Sequence, residues 1–139
     1  MTAVSVLMPC FNSAGTLLDA LGSLTAQTLV DFEVIAVDDG SDDPTAAILK
    51  EWAAVDGRIR PIFQPHRGIV VALNNGWQAC GSPYIARMDA DDLAHPGRLE
   101  RQVAFLNAHP ETGVLGCRVR GFPQEHVRQG FLIYLDWQN

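Results

Sequence analysis

Short apolar runs alternate along this chain with stretches in which apolar residues recur at helical spacing. The run "VSVLMP" (Val4 to Pro9) is apolar except at Ser5 and predicts a short buried strand that ends at Pro9. The following "NSAGTLLDALGSLTAQ" carries Leu17, Leu18, Leu21 and Leu24 on a helical period, with Ser13 placed as its N-cap. "FEVIAVDDGSDDP" predicts a second strand, Glu33 to Val37, running into acidic turn residues. Asp43 before Pro44 is the N-cap and first-turn pairing that opens the helix "PTAAILKEWAAV".

The same alternation continues to the end of "GVLGCRVRG". "RIRPIFQ" predicts a third strand, and Pro61 assigns it to an edge. "GIVVALNNGWQACG" reads as a helix with Val70, Val71, Leu73, Trp77 and Ala79 as its apolar positions, Trp52 and Trp77 both being expected in the core. "SPYIARMD" is a fourth strand, and "HPGRLERQVAFLNAHP" a helix with Leu99, Val103 and Leu106 on one face. "GVLGCRVRG" reads as a fifth strand. Strands and helices in strict alternation predict an α/β fold, a mostly parallel sheet flanked by helices. In such sheets ligands bind beyond the carboxyl ends of the strands. "PCFN", "DDGSDD" and "DADD" all follow strands, so three polar clusters are expected on one rim.

Composition narrows the classes. A chain of 139 residues, 47% hydrophobic and 19% charged, has the makings of one globular domain. Its net charge of -6 argues against duplex nucleic acid, whose binding rests on lysine and arginine contacts to phosphate. Cys10, Cys80 and Cys117 match no zinc spacing and read as reduced thiols. No apolar run reaches the roughly 20 residues of a membrane span, and no signal-peptide pattern opens the chain. The expectation is a cytoplasmic protein, free or peripheral at the inner face of the membrane. The tail "GFPQEHVRQGFLIYLDWQN" places Phe131, Leu132, Ile133, Tyr134, Leu135 and Trp137 close together. That surface is expected to belong to an interrupted domain or to meet a partner, including a second copy of the chain.

The carboxylates are the candidate chemistry. Asp89, Asp91 and Asp92 crowd together where a strand ends, although adjacent carboxylates repel one another. Asp89 and Asp91 can point the same way and share Mg²⁺ or Mn²⁺, or the cluster is a solvated turn that caps the next helix. An EF-hand is excluded, because Leu93 and Ala94 stand where a ligand and a glycine are needed. A receiver-type acidic pocket is excluded too. Lys50, the only lysine, lies in a predicted helix rather than at the end of a late strand. Ser41, Asp42 and Asp43 read as turn and capping residues. Phe11, in a polar loop, is a packing residue or a support for a flat ring. His66 and Arg67, before Gly68 at a helix start, are candidates to meet a phosphate. His95, His109 and His126 form no metal-ligand spacing and read as surface or capping residues. No P-loop is present, so an acidic rim would hold a diphosphate only through a bridging divalent cation.

"VSVLMPCFNSAGTLLDALGSLTAQTLVDFEVIAVDDGSDD" and "RGIVVALNNGWQACGSPYIARMDADDLAHPGRLERQV" together resemble the family 2 glycosyltransferases of GT-A fold, over about residues 3 to 120. The resemblance implies that Pro9, Phe11 and Asn12 line the nucleotide base, with Phe11 stacking on it. It implies that Asp39 accepts a hydrogen bond from a uracil ring. It assigns Asp89 and Asp91 to a DxD pair, Asp91 as the metal ligand bridging to the diphosphate and Asp89 near the ribose or the metal's water. Arg67 sits near a basic contact of some relatives. The implied reaction is inverting transfer of a sugar from a UDP-sugar donor to a saccharide or other hydroxyl acceptor, with Mn²⁺ or Mg²⁺ stabilising the leaving diphosphate.

In relatives the general base lies downstream of the DxD pair, so no catalytic residue is assigned in this chain. The expectation is a single nucleotide-sugar-binding domain over 1–139, truncated before the acceptor half, with 121–139 as the start of the interrupted segment. Such a chain binds donor but transfers sugar weakly or not at all. The alternative is a non-catalytic nucleotide-binding or oligomerisation module of the same fold.

Overall fold

The structure is a computed structural model and describes residues 2–139. Four strands, β1 (Val4–Cys10), β2 (Phe32–Asp38), β3 (Ile59–Phe63) and β4 (Tyr84–Arg87), form one sheet in the order β3-β2-β1-β4. All three pairings are parallel; Val4 lies opposite Phe32 and Tyr84, and Val34 opposite Ile59. Helices α1 (Leu17–Thr25), α2 (Thr45–Val55) and α3 (Ile69–Ala79) make the crossovers, and α4 (Arg98–Ala108) follows β4. A last helix, α5 (Gln129–Gln138), follows an irregular stretch and a short 3₁₀ turn.

β1 and β2 sit in the middle of the sheet and are covered on both faces, which is why both read as unbroken apolar runs. Side chains alternate across the sheet, and the core divides accordingly. Val4, Val6 and Met8 of β1 pack with Val34 and Ala36 of β2 against Leu17, Leu21 and Leu24 of α1, Leu49 of α2 and Leu99 of α4. Leu7, Ile35 and Val37 face the other way, against Ala72 of α3. Ser5, the one polar residue in β1, donates to Glu33 Oε1 at 2.6 Å. Glu33 also accepts from the Gly81 N–H at 3.1 Å and pairs with Arg60. This network joins β1, β2, β3 and the turn before β4 at the end of the sheet remote from the acidic loops.

Several boundaries differ from the sequence expectation. α1 starts at Leu17, because the Ser13 carbonyl accepts from the N–H groups of Thr16 and Leu17 and the first residues form a turn. The second helix starts one residue later than expected, with Pro44 rather than Asp43 at the N-cap position; Asp43 lies before it, its Oδ1 accepting from the Thr45 N–H at 2.9 Å. Pro61 falls on edge strand β3, as expected.

Two expectations are overturned. "GVLGCRVRG" forms no strand: residues 113–121 are irregular, because alternating side chains make a strand only where a ladder partner fixes them, and Gly113 and Gly116 loosen this run. Trp77 is not core but 64% exposed. α3 meets the sheet through small residues one turn apart, Ala72 and Gly76, and Trp77 is rotated off that stripe. A Cβ on Gly76 would fall 2.3 Å from Leu7 Cδ1 and 2.8 Å from Val37 Cγ2, so the absence of a side chain sets how closely the helix lies. Trp52 is partly buried against the larger core.

Candidate functional site

The carboxyl ends of the strands frame an open cleft of about 570 Å³. Its walls include Pro9 near the end of β1, Phe11 and Asn12 after it, Asp39 after β2, His66 before α3, and Asp89 and Asp91 after β4. The three rim clusters expected from the sequence do converge.

Side-chain to backbone hydrogen bonds stitch these loops together. The Ser41 hydroxyl accepts from the Asn12 N–H at 2.9 Å, and Asn12 Oδ1 accepts from the Asp42 N–H at 3.0 Å. Asn12 takes a left-handed backbone (φ 49°), which asparagine tolerates better than most residues. Thr45 Oγ1 accepts from the Ser13 N–H at 2.8 Å, and Asp43 Oδ2 accepts from the Ala14 N–H at 2.9 Å. Thr16 reaches the loop after β4, donating to the Ala90 carbonyl at 2.9 Å. The acidic "DDGSDD" turn is thus a template for the loop after β1, a role beyond the turn and capping duty its composition predicts.

Asp39 is the hub of the opposite wall. Its side chain is buried, yet Oδ1 accepts from the Gln64 amide at 2.6 Å and the Arg67 N–H at 2.9 Å, and Oδ2 from the Gly68 N–H at 2.8 Å. His66 Nδ1 lies 2.9 Å from Oδ2 and 3.0 Å from the Asp39 carbonyl oxygen. Burial works against the charge, but the Arg67 N–H, the Gln64 amide, the Gly68 N–H and the His66 ring hold the carboxyl below the ordinary aspartate range. The helix start that the sequence offers to a phosphate is therefore already satisfied by a carboxylate. Gly40 makes this possible: at φ 70°, a Cβ there would sit 2.5 Å from the backbone nitrogen of His66.

Arg67 contributes through its backbone, and its side chain is exposed and does not line the cleft. His66 does line it, its ring stacked on Phe11 with centroids 4.1 Å apart and planes at 25°. Asp89 is gripped by the Arg87 guanidinium through two hydrogen bonds of 2.9 and 2.6 Å. Asp91 is exposed. Burial, followed by the charges of Asp91 and Asp89, pushes the Asp92 carboxyl up.

Residues that sequence reasoning passed over hold the far side of the site. Gln27 is buried at the end of α1, its amide donating to the His95 carbonyl at 2.8 Å and its Oε1 accepting from the Leu99 N–H at 3.0 Å. It fixes the turn between Asp92 and α4. A buried glutamine at a helix end carries no local signal for such partners.

Residues 5–134 match the sequence profile described as Glycosyl transferase family 2. The chain belongs to this family. The putative glycosyltransferase EpsE of Bacillus subtilis (strain 168) is 38% identical over 127 residues, which cover 90% of this chain and 46% of EpsE. The amylovoran biosynthesis glycosyltransferase AmsE of Erwinia amylovora is 33% identical over 128 residues, 90% of this chain and 48% of that protein. This family 2 chain thus spans about half the length of these two relatives. Among solved structures, the mannosyltransferase PcManGT of Pyrobaculum calidifontis, in complex with GDP-Man and Mn²⁺, superposes with a TM-score of 0.75 at 27% identity over 84% of this chain and 35% of its own. Residues 1–349 of S. aureus TarS, in complex with UDP-GlcNAc, give 0.71 at 25% identity over 88% and 37%. The architecture is that of GT-A glycosyltransferases, as the alternating pattern and its resemblance implied.

Proposed function

We propose that this chain binds a nucleoside diphosphate sugar, UDP-linked, across the strand-end cleft with a divalent cation, as the donor side of an inverting glycosyltransferase acting on a hydroxyl acceptor. The observation that carries this reading is the convergence of an aromatic ring, a buried base-side carboxylate and two cleft-facing aspartates on one rim. The nucleotide sugars bound by the TarS and PcManGT structures support it.

The donor set fits Mg²⁺ or Mn²⁺. Asp89 and Asp91 supply hard oxygen ligands in small number on the cleft wall, leaving positions for water and phosphate. Asp91 would hold the ion directly, and Asp89 would join it or the ribose on release from Arg87. Such an ion supplies Lewis-acid neutralisation of the leaving diphosphate. The chain's own groups do the positioning. Phe11 offers a flat apolar face, Pro9 and Asn12 shape the base end, and Asp39 fixes the wall that meets the base. Arg67, whose side chain is exposed, is only a weaker candidate for an anion contact. No residue of this chain is assigned to the acceptor or to the general base.

Calorimetric titration of UDP with Mn²⁺ and then EDTA tests this reading. The expected result is binding that requires the metal and that Asp91→Ala weakens by roughly tenfold or more, as loss of a ligand group does. Equal binding with and without metal, or by the variant, would sink it. A second reading, an assembly module, draws on α5, where Phe131, Ile133, Tyr134 and Trp137 are exposed. It calls for a solution mass that rises with concentration, and a constant monomer mass removes it.

A further inference from the structure

We propose that Thr16 is a positioning residue for the cation: its hydroxyl fixes the peptide that joins Ala90 to Asp91, and so sets how Asp91 stands beside Asp89. The inference rests on the donor reading above and adds to it a residue outside the acidic clusters. Thr16 occupies the N-cap position of α1, where a threonine ordinarily turns its oxygen back to accept from an N–H of the first helical turn. It makes no such bond. Its hydroxyl instead donates to the Ala90 carbonyl at 2.9 Å, the Ser13 carbonyl being farther at 3.3 Å. A capping residue has thus forgone local helix stabilisation for a tie to the loop that carries the aspartates.

The place of that tie decides what it can do. Met88 and Ala90 are buried in the core, and the residues that alternate with them, Asp89 and Asp91, line the cleft. Asp89 is gripped by Arg87, whereas Asp91 is exposed and stands where its backbone puts it. The Ala90 carbonyl belongs to the peptide immediately before Asp91. With the Ala90 methyl packed in the core and its carbonyl held by Thr16, rotation of this peptide is opposed from both sides. Such a rotation would swing Asp91 away from Asp89 and separate the two ligands. The same face of α1 continues the grip about two and three turns further on. There Ser23 Oγ accepts from the Ala94 N–H at 3.0 Å, and the Gln27 amide donates to the His95 carbonyl at 2.8 Å. Those ties fall past the aspartates, and that of Thr16 falls between them.

The test is the affinity for Mn²⁺ with UDP present, read from the paramagnetic resonance signal of the free ion, with a urea midpoint for each variant to show that it folds. Thr16→Val keeps the shape of the side chain and removes the hydroxyl, and it is expected to weaken Mn²⁺ binding roughly fivefold. Thr16→Ser keeps the hydroxyl and should restore the affinity. Ser5→Ala, which loses a buried hydroxyl bond at the far end of the sheet, measures the effect of general loosening. It should lower the urea midpoint at least as far as Thr16→Val and leave Mn²⁺ binding unchanged. An unaltered ion affinity in Thr16→Val overturns the proposal. So does an equal loss in Thr16→Ser, which would take the hydroxyl out of the account, or an equal loss in Ser5→Ala, which would make the effect one of stability. All three of these outcomes leave the donor reading standing, whereas a wild type that binds no Mn²⁺ beside UDP defeats that reading itself.

Discussion

Asp39 concentrates most of the cleft's order in one side chain. Its folded-state pKa is depressed, so its contribution to stability is present above the unfolded value of about 3.9 and is lost as pH falls through the lower folded value. Chemical denaturation at falling pH should show stability dropping below about pH 4, with the drop reduced in Asp39→Asn. That variant should itself cost about 2 kcal/mol at neutral pH, as hydrogen bonds to a charged group are lost. Cys10 behaves in the opposite sense. Burial, with the nearby Asp38 charge, pushes its thiol up to about 12, whereas Cys117 is exposed. Iodoacetamide at pH 8 should label Cys117 in the folded chain and reach Cys10 only after unfolding. The sequence shows Asp39 at a strand end and so on the rim, but its donors Gln64, Arg67 and Gly68 lie beyond a whole helix and strand. Only the fold brings them together.

At the level of elements, the strand and helix order was legible because each buried strand is a short apolar run and each helix keeps its period. Failures came where packing, not pattern, decides. In α3 the large residues drew attention, yet Ala72 and Gly76 make the contact and Trp77 looks outward. Gly76→Ala should therefore destabilise the protein by about 1–3 kcal/mol through overpacking, less up to about 1 kcal/mol regained in helix propensity. Urea unfolding measures the difference, and a more stable variant would refute the tight-approach account. The stretch at 113–121 alternates as a strand does, but β4 is only four residues long and lends it no ladder.

For the whole molecule, net charge hides an uneven distribution. The acids gather at the strand ends, while Arg87, Arg98, Arg101, Arg118 and Arg120 line a neighbouring groove of about 1310 Å³. Among the described residues no helix is long and apolar enough to cross a membrane. The stitching of the rim carries a further consequence. Backbone amides in loops ordinarily exchange their hydrogens with solvent far faster than those of strands. Here the amides of Asn12, Ser13, Ala14, Arg67 and Gly68 are each held by a side-chain oxygen from a distant part of the chain. In deuterated water they should exchange on the timescale of the central strands, and Asp39→Asn should release the last two alone. A rim already this still before its ligand arrives would have little ordering entropy left to lose on closing around one.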